Sequence, residues 1–414
     1  MERLKMARVR QAFARPRVED VAGEITRQMG RLRDVVRPGM SVGVTAGSRG
    51  INGIPLILRT VVCALRDMGA TPFIFSAMGS HGGGTPEGQE NLLRHLGITA
   101  ESVGAPLCIT SDVVEAGVTE NGRVVYVDAE AAKADGILVV NRIKPHTAFQ
   151  DALASGLFKM ITVGMGKVPG ATQVHRFGSL EIYPALVEMA RLALRKLPIL
   201  GGLAIVENSL DETAGLQLLL PPEMEAGEAE LLKHATDLLP RLPLEELDLL
   251  IIHEIGKNFS GTGMDTNVVG RWKGVELRGP ISPQIRRIVV LRLSEASEGN
   301  ANGIGLADFT TRKFVESMDW KATLTNVRTT GFWDRAFLPP FPGSDRDAIQ
   351  WALESLRQPH GAPLTAARIR NTLHLEEIWL NEAALAKAPK CERIGAFQPL
   401  RYDEEGDLLV PEVR

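Results

Sequence analysis

At 414 residues the chain exceeds one ordinary hydrophobic core, so two domains are the expected arrangement. Its 44% hydrophobic and 23% charged residues are those of a globular protein, and no apolar run has the length needed to cross a bilayer, which argues against membrane insertion. A net charge of −3, with Lys and Arg scattered among acids, lacks the footprint of a nucleic-acid binder, so the expected ligand is small.

The charges of Met1-Glu2-Arg3-Leu4-Lys5 precede no apolar stretch, which reads as a chain without a secretory signal and hence cytoplasmic. Cys63, Cys108 and Cys391 are odd in number and far apart, as reduced thiols would be.

From Ser41 onward, short β-rich runs alternate with helical patterns, the signature of a sheet flanked by helices. Strands are expected at Ser41–Thr45, Pro72–Ser76, Val124–Val127, Gly136–Val140 and Gly201–Glu207. Helices are expected over Pro55–Asp67 and Ser179–Lys196, and Thr85-Pro86-Glu87 reads as N-cap, first-turn proline and first-turn acid of another. Beyond the proline-bounded segment Pro240–Pro243, Leu247–His253 starts a fresh apolar strand and Arg287–Leu293 supplies a second. The expected fold is therefore α/β, with two domains that are each a sheet flanked by helices and an active site in the cleft between them. The expected domains are 1–243 and 244–390, with a tail over 391–414 that returns to the first.

Three strands empty into loops that carry chemistry. Val42–Ala46 ends at Gly47-Ser48-Arg49-Gly50, placing a planar guanidinium suited to a carboxylate or phosphate at the mouth of a sheet. Pro72–Ala77 runs into Met78-Gly79-Ser80-His81-Gly82-Gly83-Gly84, and Gly136–Val140 into Asn141-Arg142-Ile143-Lys144-Pro145-His146. Two imidazoles facing one crevice suit acid/base work near neutral pH, whereas the plainer reading makes them loop decoration.

A fourth segment sets Lys159 among apolar residues, where a lysine is neutralised or covalently used unless an acid such as Asp151 pairs with it. Gly166-Lys167 is not a phosphate-binding P-loop, because Val168 stands where Ser or Thr is needed and Ile161 where the first glycine belongs. No CxxC, HExxH or EF-hand pattern occurs, so any metal would be held by single histidines and carried by an organic cofactor.

Taken in order, Arg49, His81, His146, Lys159 and His175 resemble the functional set of the nickel-dependent lactate racemase family, with His146 13 residues before Lys159 and His175 16 after it. The resemblance implies a nickel-pincer nucleotide tethered covalently to Lys159, with His175 as the protein's nickel ligand and Ser48, Gly164 and Gly166 at the cofactor. It further implies His81 and His146 as the acid/base pair, Arg49 as carboxylate clamp, and Lys257 with Glu254 at the substrate. The implied activity is inversion of C2 of a 2-hydroxy acid by transient hydride transfer to the cofactor, with cofactor-synthesis enzymes as transient partners. Where the family often reads Asp-x-Thr-Arg this chain has Ala46-Gly47-Ser48-Arg49, and Glu254 adds negative charge. The first point implies one acidic contact to the cofactor fewer, and the second favours an acid bearing hydroxyls or a larger tail over lactate itself.

Two other readings remain open on the residues alone. A nicotinamide-dependent 2-hydroxy acid dehydrogenase would also place Arg and His at strand ends, although no G-x-G-x-x-G follows an early strand. A non-catalytic organic-acid binder would use Arg49 alone. His95, His234 and His374 read as solvated or packing residues, His360 as part of a Pro/Gly turn, His253 as either a satisfied core histidine or a lining of the interdomain cleft, and Trp272, Trp320 and Trp333 as core or pocket wall, while the oligomeric state is open.

Overall fold

The structure is a computed structural model that describes residues 4–147, 149–272, 282–357 and 363–409. His360 and the end of the tail lie outside the described residues. The chain divides into two compact units, one of Ala14–Leu239 and one of Met1–Phe13 with Pro240–Arg414. The leading residues and the tail, expected with the first domain, thus belong with the second half. The cause is strand β1 (Lys5–Arg10), which is antiparallel to strands of the C-terminal region and to the tail.

In the Ala14–Leu239 unit, β2 (Ser41–Ala46), β3 (Thr71–Ser76), β4 (Leu107–Cys108), β7 (Gly136–Arg142), β8 (Ile199–Glu207) and β9 (Thr213–Leu219) form one sheet in the order β4-β3-β2-β7-β8-β9. All neighbours are parallel except β8 and β9. The carboxyl ends of β3, β2 and β7 therefore lie side by side on one edge, where open α/β sheets bind ligands. Strands β5 (Val113–Val118) and β6 (Val124–Asp128) form a separate antiparallel pair, so Val124–Val127 is a strand outside the main sheet.

Helices of this unit form where the apolar spacing places them. Ile54–Asp67 buries Ile57, Leu58, Val61, Val62 and Leu65 on one face, each contributing roughly 1.5–3 kcal/mol relative to exposure. These side chains join Val42, Val44, Ile74 and Leu138 in one core. Thr85 caps the helix Pro86–His95 by accepting from Gly88 N–H at 3.1 Å, which fixes the point where the His81 loop ends.

The other unit is built on β10 (Glu246–Ile255), β11 (Gln284–Leu293), β12 (Ala366–Ile369), β13 (Glu377–Leu380), β14 (Glu392–Arg393) and β15 (Gln398–Pro399) together with β1. Strand β10 is parallel to both β11 and β12, and its apolar residues Leu250 and Ile252 pack with Ile288, Val290 and Ile369. Strand β1 pairs with β13, with Ala7 opposite Leu380, and in turn carries β14 and β15. Among the described residues no helix is long and apolar enough to cross a membrane.

Candidate active site

Four chain segments are laced together at the carboxyl edge of the β3-β2-β7 strands. After β2 the chain packs Gly47 against Lys159's neighbour, since a Cβ there would meet Met160 Cε at 3.0 Å. After β3, Gly79 N–H donates to Gly164 O at 3.3 Å, docking the His81 loop on the stretch that follows Lys159. At the end of β7, Asn141 Nδ2 donates to Gly156 O at 2.7 Å, and in the loop beyond it Lys144 and Ser155 exchange backbone hydrogen bonds of 2.8 and 3.0 Å. The residues before and after Lys159 are thereby the hub of all three loops.

Lys159 closes the short helix Leu157–Lys159, and the chain continues as a π-helix over Met160–Gly164. Such wide turns concentrate at functional sites because they carry a local misfit that regular packing would remove. Ser155 Oγ accepts from Lys159 Nζ at 3.3 Å. Although Lys159 as a whole is half-buried, its amine sits deep enough for desolvation to drive its pKa down to about 8, with repulsion from Arg49 adding to the shift. Asp151, expected as its ion partner, acts instead on Tyr183, and its own carboxyl is pushed up by burial. An amine-selective acylating reagent should therefore modify Lys159 with a half-point near pH 8. A half-point near the ordinary lysine value of about 10.4, as for surface lysines, would contradict the desolvated setting.

His175 ends the helix Lys167–His175. Burial, followed by repulsion from Lys159, lowers its pKa to about 4, so the imidazole is neutral at physiological pH and the two side chains lie within electrostatic reach. Its Nδ1 is buried and has no hydrogen-bond partner among the described residues.

Arg49 keeps exposed surface, while protein atoms crowd its guanidinium enough for desolvation to hold it below its ordinary value, with Arg142 repelling it further. Arg142 is paired with Glu207, which also accepts from Asn52 N–H at 2.8 Å and so anchors the turn after Arg49. Ser48 Oγ forms a hydrogen bond with His81 Nδ1, which orients the ring. His146 is half-buried and stacks on Phe149 with ring centroids 4.2 Å apart, and Phe149 in turn packs near Tyr183.

Gly164 and Gly166 are glycines for packing reasons. A Cβ on Gly164 would meet Ala77 O at 2.8 Å, and one on Gly166 would meet Thr162 O at 2.3 Å. In the other unit, Lys257 Nζ donates to Gly261 O at 2.7 Å and to Asn326 Oδ1. Glu254 sits in β10 opposite Arg292. His253 is a core residue, as its Nε2 accepts from Arg368 at 2.6 Å. Trp272 is buried, whereas Trp320 and Trp333 are exposed. Among the described residues no group of three or more His, Cys, Asp or Glu side chains gathers as a metal site.

Two buried groups escaped sequence reading. Glu228, inside the helix Met224–Asp237, accepts from Phe158 N–H at 3.0 Å and so caps the turn that carries Lys159. Burial raises its carboxyl to about 8 against the opposing pull of the Phe158 and Leu157 N–H groups. In sequence it resembles its neighbours Glu225 and Glu230, and only the fold turns it inward. Lys167 is the second, visible in sequence only as part of a failed P-loop.

No protein-family model matches the sequence, and no curated protein matches it. The fold is similar to that of the lactate racemase apoprotein from Thermoanaerobacterium thermosaccharolyticum, with a TM-score of 0.53 and 13% identity over 88% of this chain and 94% of that chain. At that identity the likeness speaks for a shared α/β fold across nearly the whole length of both proteins.

Proposed function

We propose that this chain is a racemase or epimerase that inverts C2 of a 2-hydroxy acid, using a nickel-pincer nucleotide held at Lys159 and His175. One observation carries this reading: a desolvated amine lies within electrostatic reach of an imidazole whose buried Nδ1 has no hydrogen-bond partner among the described residues. Leaving such an atom unsatisfied costs roughly 1–3 kcal/mol, a penalty that a metal ion on the neutral ring removes. The residues thus fit the group, with Lys159 as the amine to be acylated and His175 as the metal ligand. When bound, the group supplies a hydride acceptor and donor for the C2 hydrogen, which the neighbouring carboxylate makes too weakly acidic to leave as a proton.

The protein's own residues then handle the carboxylate and the hydroxyl proton. Arg49, accessible at the sheet edge, offers its planar fork to the carboxylate and keeps it fixed while the configuration at C2 changes. His81, oriented by Ser48, takes or returns the hydroxyl proton through Nε2 on one side of the substrate. His146, held against Phe149, does the same on the other side. All residues assigned here belong to the Ala14–Leu239 unit. Loading requires the cofactor-synthesis enzymes as transient partners.

The test is a substrate panel. Chain produced alongside the cofactor-synthesis enzymes is given single enantiomers of lactate, malate, 2-hydroxyglutarate, phenyllactate and sugar acids, and the opposite C2 configuration is scored by chiral chromatography. At least one acid should racemise without added nicotinamide. Net conversion to a keto acid only with nicotinamide would replace the racemase by a dehydrogenase, and binding without turnover by loaded protein would leave an organic-acid binder.

A further inference from the structure

Lys167 is nearly inaccessible, at 2% exposure, and has a left-handed backbone with φ of 54°. The other described non-glycine residues with positive φ, namely Asp211, Glu298 and Arg357, are all exposed. Left-handed backbone strains a non-glycine residue and burial strips an ammonium of its water, so both persist only where surrounding structure over-determines them.

The surroundings do so through hydrogen bonds. Lys167 Nζ pairs with the fully buried Asp128 at 2.9 Å, and donates to the carbonyl of Ser76 and, at 2.7 Å, to Ser76 Oγ. Asp128 is itself fixed, because its other oxygen accepts from the N–H groups of Glu130 and Ala131 at 2.9 and 3.0 Å. Ser76 Oγ donates to Gln89 Oε1 at 2.6 Å, and Gln89 Nε2 donates onward to the carbonyls of Gly79 and His81, each at 3.3 Å. Ser76 and Gln89 are both buried.

Two working segments therefore meet at one ammonium. Ser76 is the last residue of β3, whose exit loop carries His81, and Lys167 is the first residue of the helix that ends at His175. We infer that Lys167, paired with Asp128, is a positioning residue that fixes the His81 loop relative to the helix bearing His175, acting on His81 through Ser76 and Gln89. The inference rests on the racemase reading for what the fixed geometry is used for, but not for the clamp itself. A buried ion pair is a poor source of net stability, since apolar replacements of similar volume are often as stable, which points to placement as its purpose.

Two variants test it. Lys167→Met/Asp128→Asn removes both charges together so that neither is stranded, and Gln89→Leu cuts the relay to His81 while leaving the ion pair intact. In the purified chain, amide exchange at Gly79–His81 should rise roughly tenfold in both variants while β2 and β7 stay protected. The His81 Nδ1 resonance should shift away from its Ser48-bonded position. In cofactor-loaded protein, kcat on the acid found by the panel should fall about 10²-fold with KM within about twofold. Unchanged exchange and an unchanged His81 resonance in folded variants would overturn the clamp, and should the double variant not fold, Gln89→Leu decides alone. Wild-type chain that turns over no 2-hydroxy acid would sink the racemase reading and leave the exchange and resonance comparison standing.

Discussion

On the proposed two-base reading, His81→Ala and His146→Ala should each lower racemisation by about 10²–10⁴-fold, in both directions and from either enantiomer. The equality of direction is the informative part. If each imidazole serves one side of a clamped acid, a complete inversion uses both, one to take the hydroxyl proton and the other to return it. Loss of either ring therefore blocks the forward and reverse reactions alike. A single-base enzyme would show one severe and one mild variant. Neither substitution should unfold the protein, because both rings are only half-buried and sit in loops after β3 and β7. Initial rates from each enantiomer, with thermal melting as a check on folding, decide the matter, and full activity in either variant removes the two-base scheme.

If Lys159 is the cofactor tether, Lys159→Ala should abolish turnover altogether and Lys159→Arg should do no better, because a guanidinium is not acylated at neutral pH. The effect exceeds that of either histidine because the cofactor's attachment is lost along with the chemistry. Stability should move the other way. The amine is disfavoured in its charged form by burial and by Arg49, so removing it relieves a desolvation cost and leaves the cofactor-free chain with an equal or higher Tm. The sign follows from linkage: with the folded pKa near 8 and the unfolded one higher, the wild-type chain gains stability as pH rises between those values, and Lys159→Ala loses that dependence. Residual activity in Lys159→Ala would show that the tether is dispensable.

Much of the site was legible because strand exits are written in local grammar. An apolar run followed by glycines and a single His or Arg marks a strand meeting a loop, and the structure sets Arg49, His81 and His146 after the neighbouring strands β2, β3 and β7. The helices Ile54–Asp67 and Pro86–His95 were likewise carried by spacing and by Thr85 as cap. Long-range pairing left no such mark. Strand β1, Lys-Met-Ala-Arg-Val-Arg, looks like a polar leader until β13 covers it, so its membership in the second unit depends on a partner more than 360 residues away. Ser48 was expected at the cofactor, and the structure adds a contact of its hydroxyl with His81 that joins two loops and leaves no trace in either segment. Glu228 and Lys167 share that difficulty, since a buried charge is recognised by what surrounds it.

The central claim is that Lys159 and His175 hold one nickel-bearing group between them. The most direct measurement is the mass of the Lys159-containing peptide, taken with nickel content, from chain produced with and without the cofactor-synthesis enzymes. A cofactor-sized increase on Lys159 is expected only in the coproduced protein, with one nickel per chain that His175→Ala fails to retain. An unmodified Lys159 in protein that racemises a 2-hydroxy acid at full rate would contradict it.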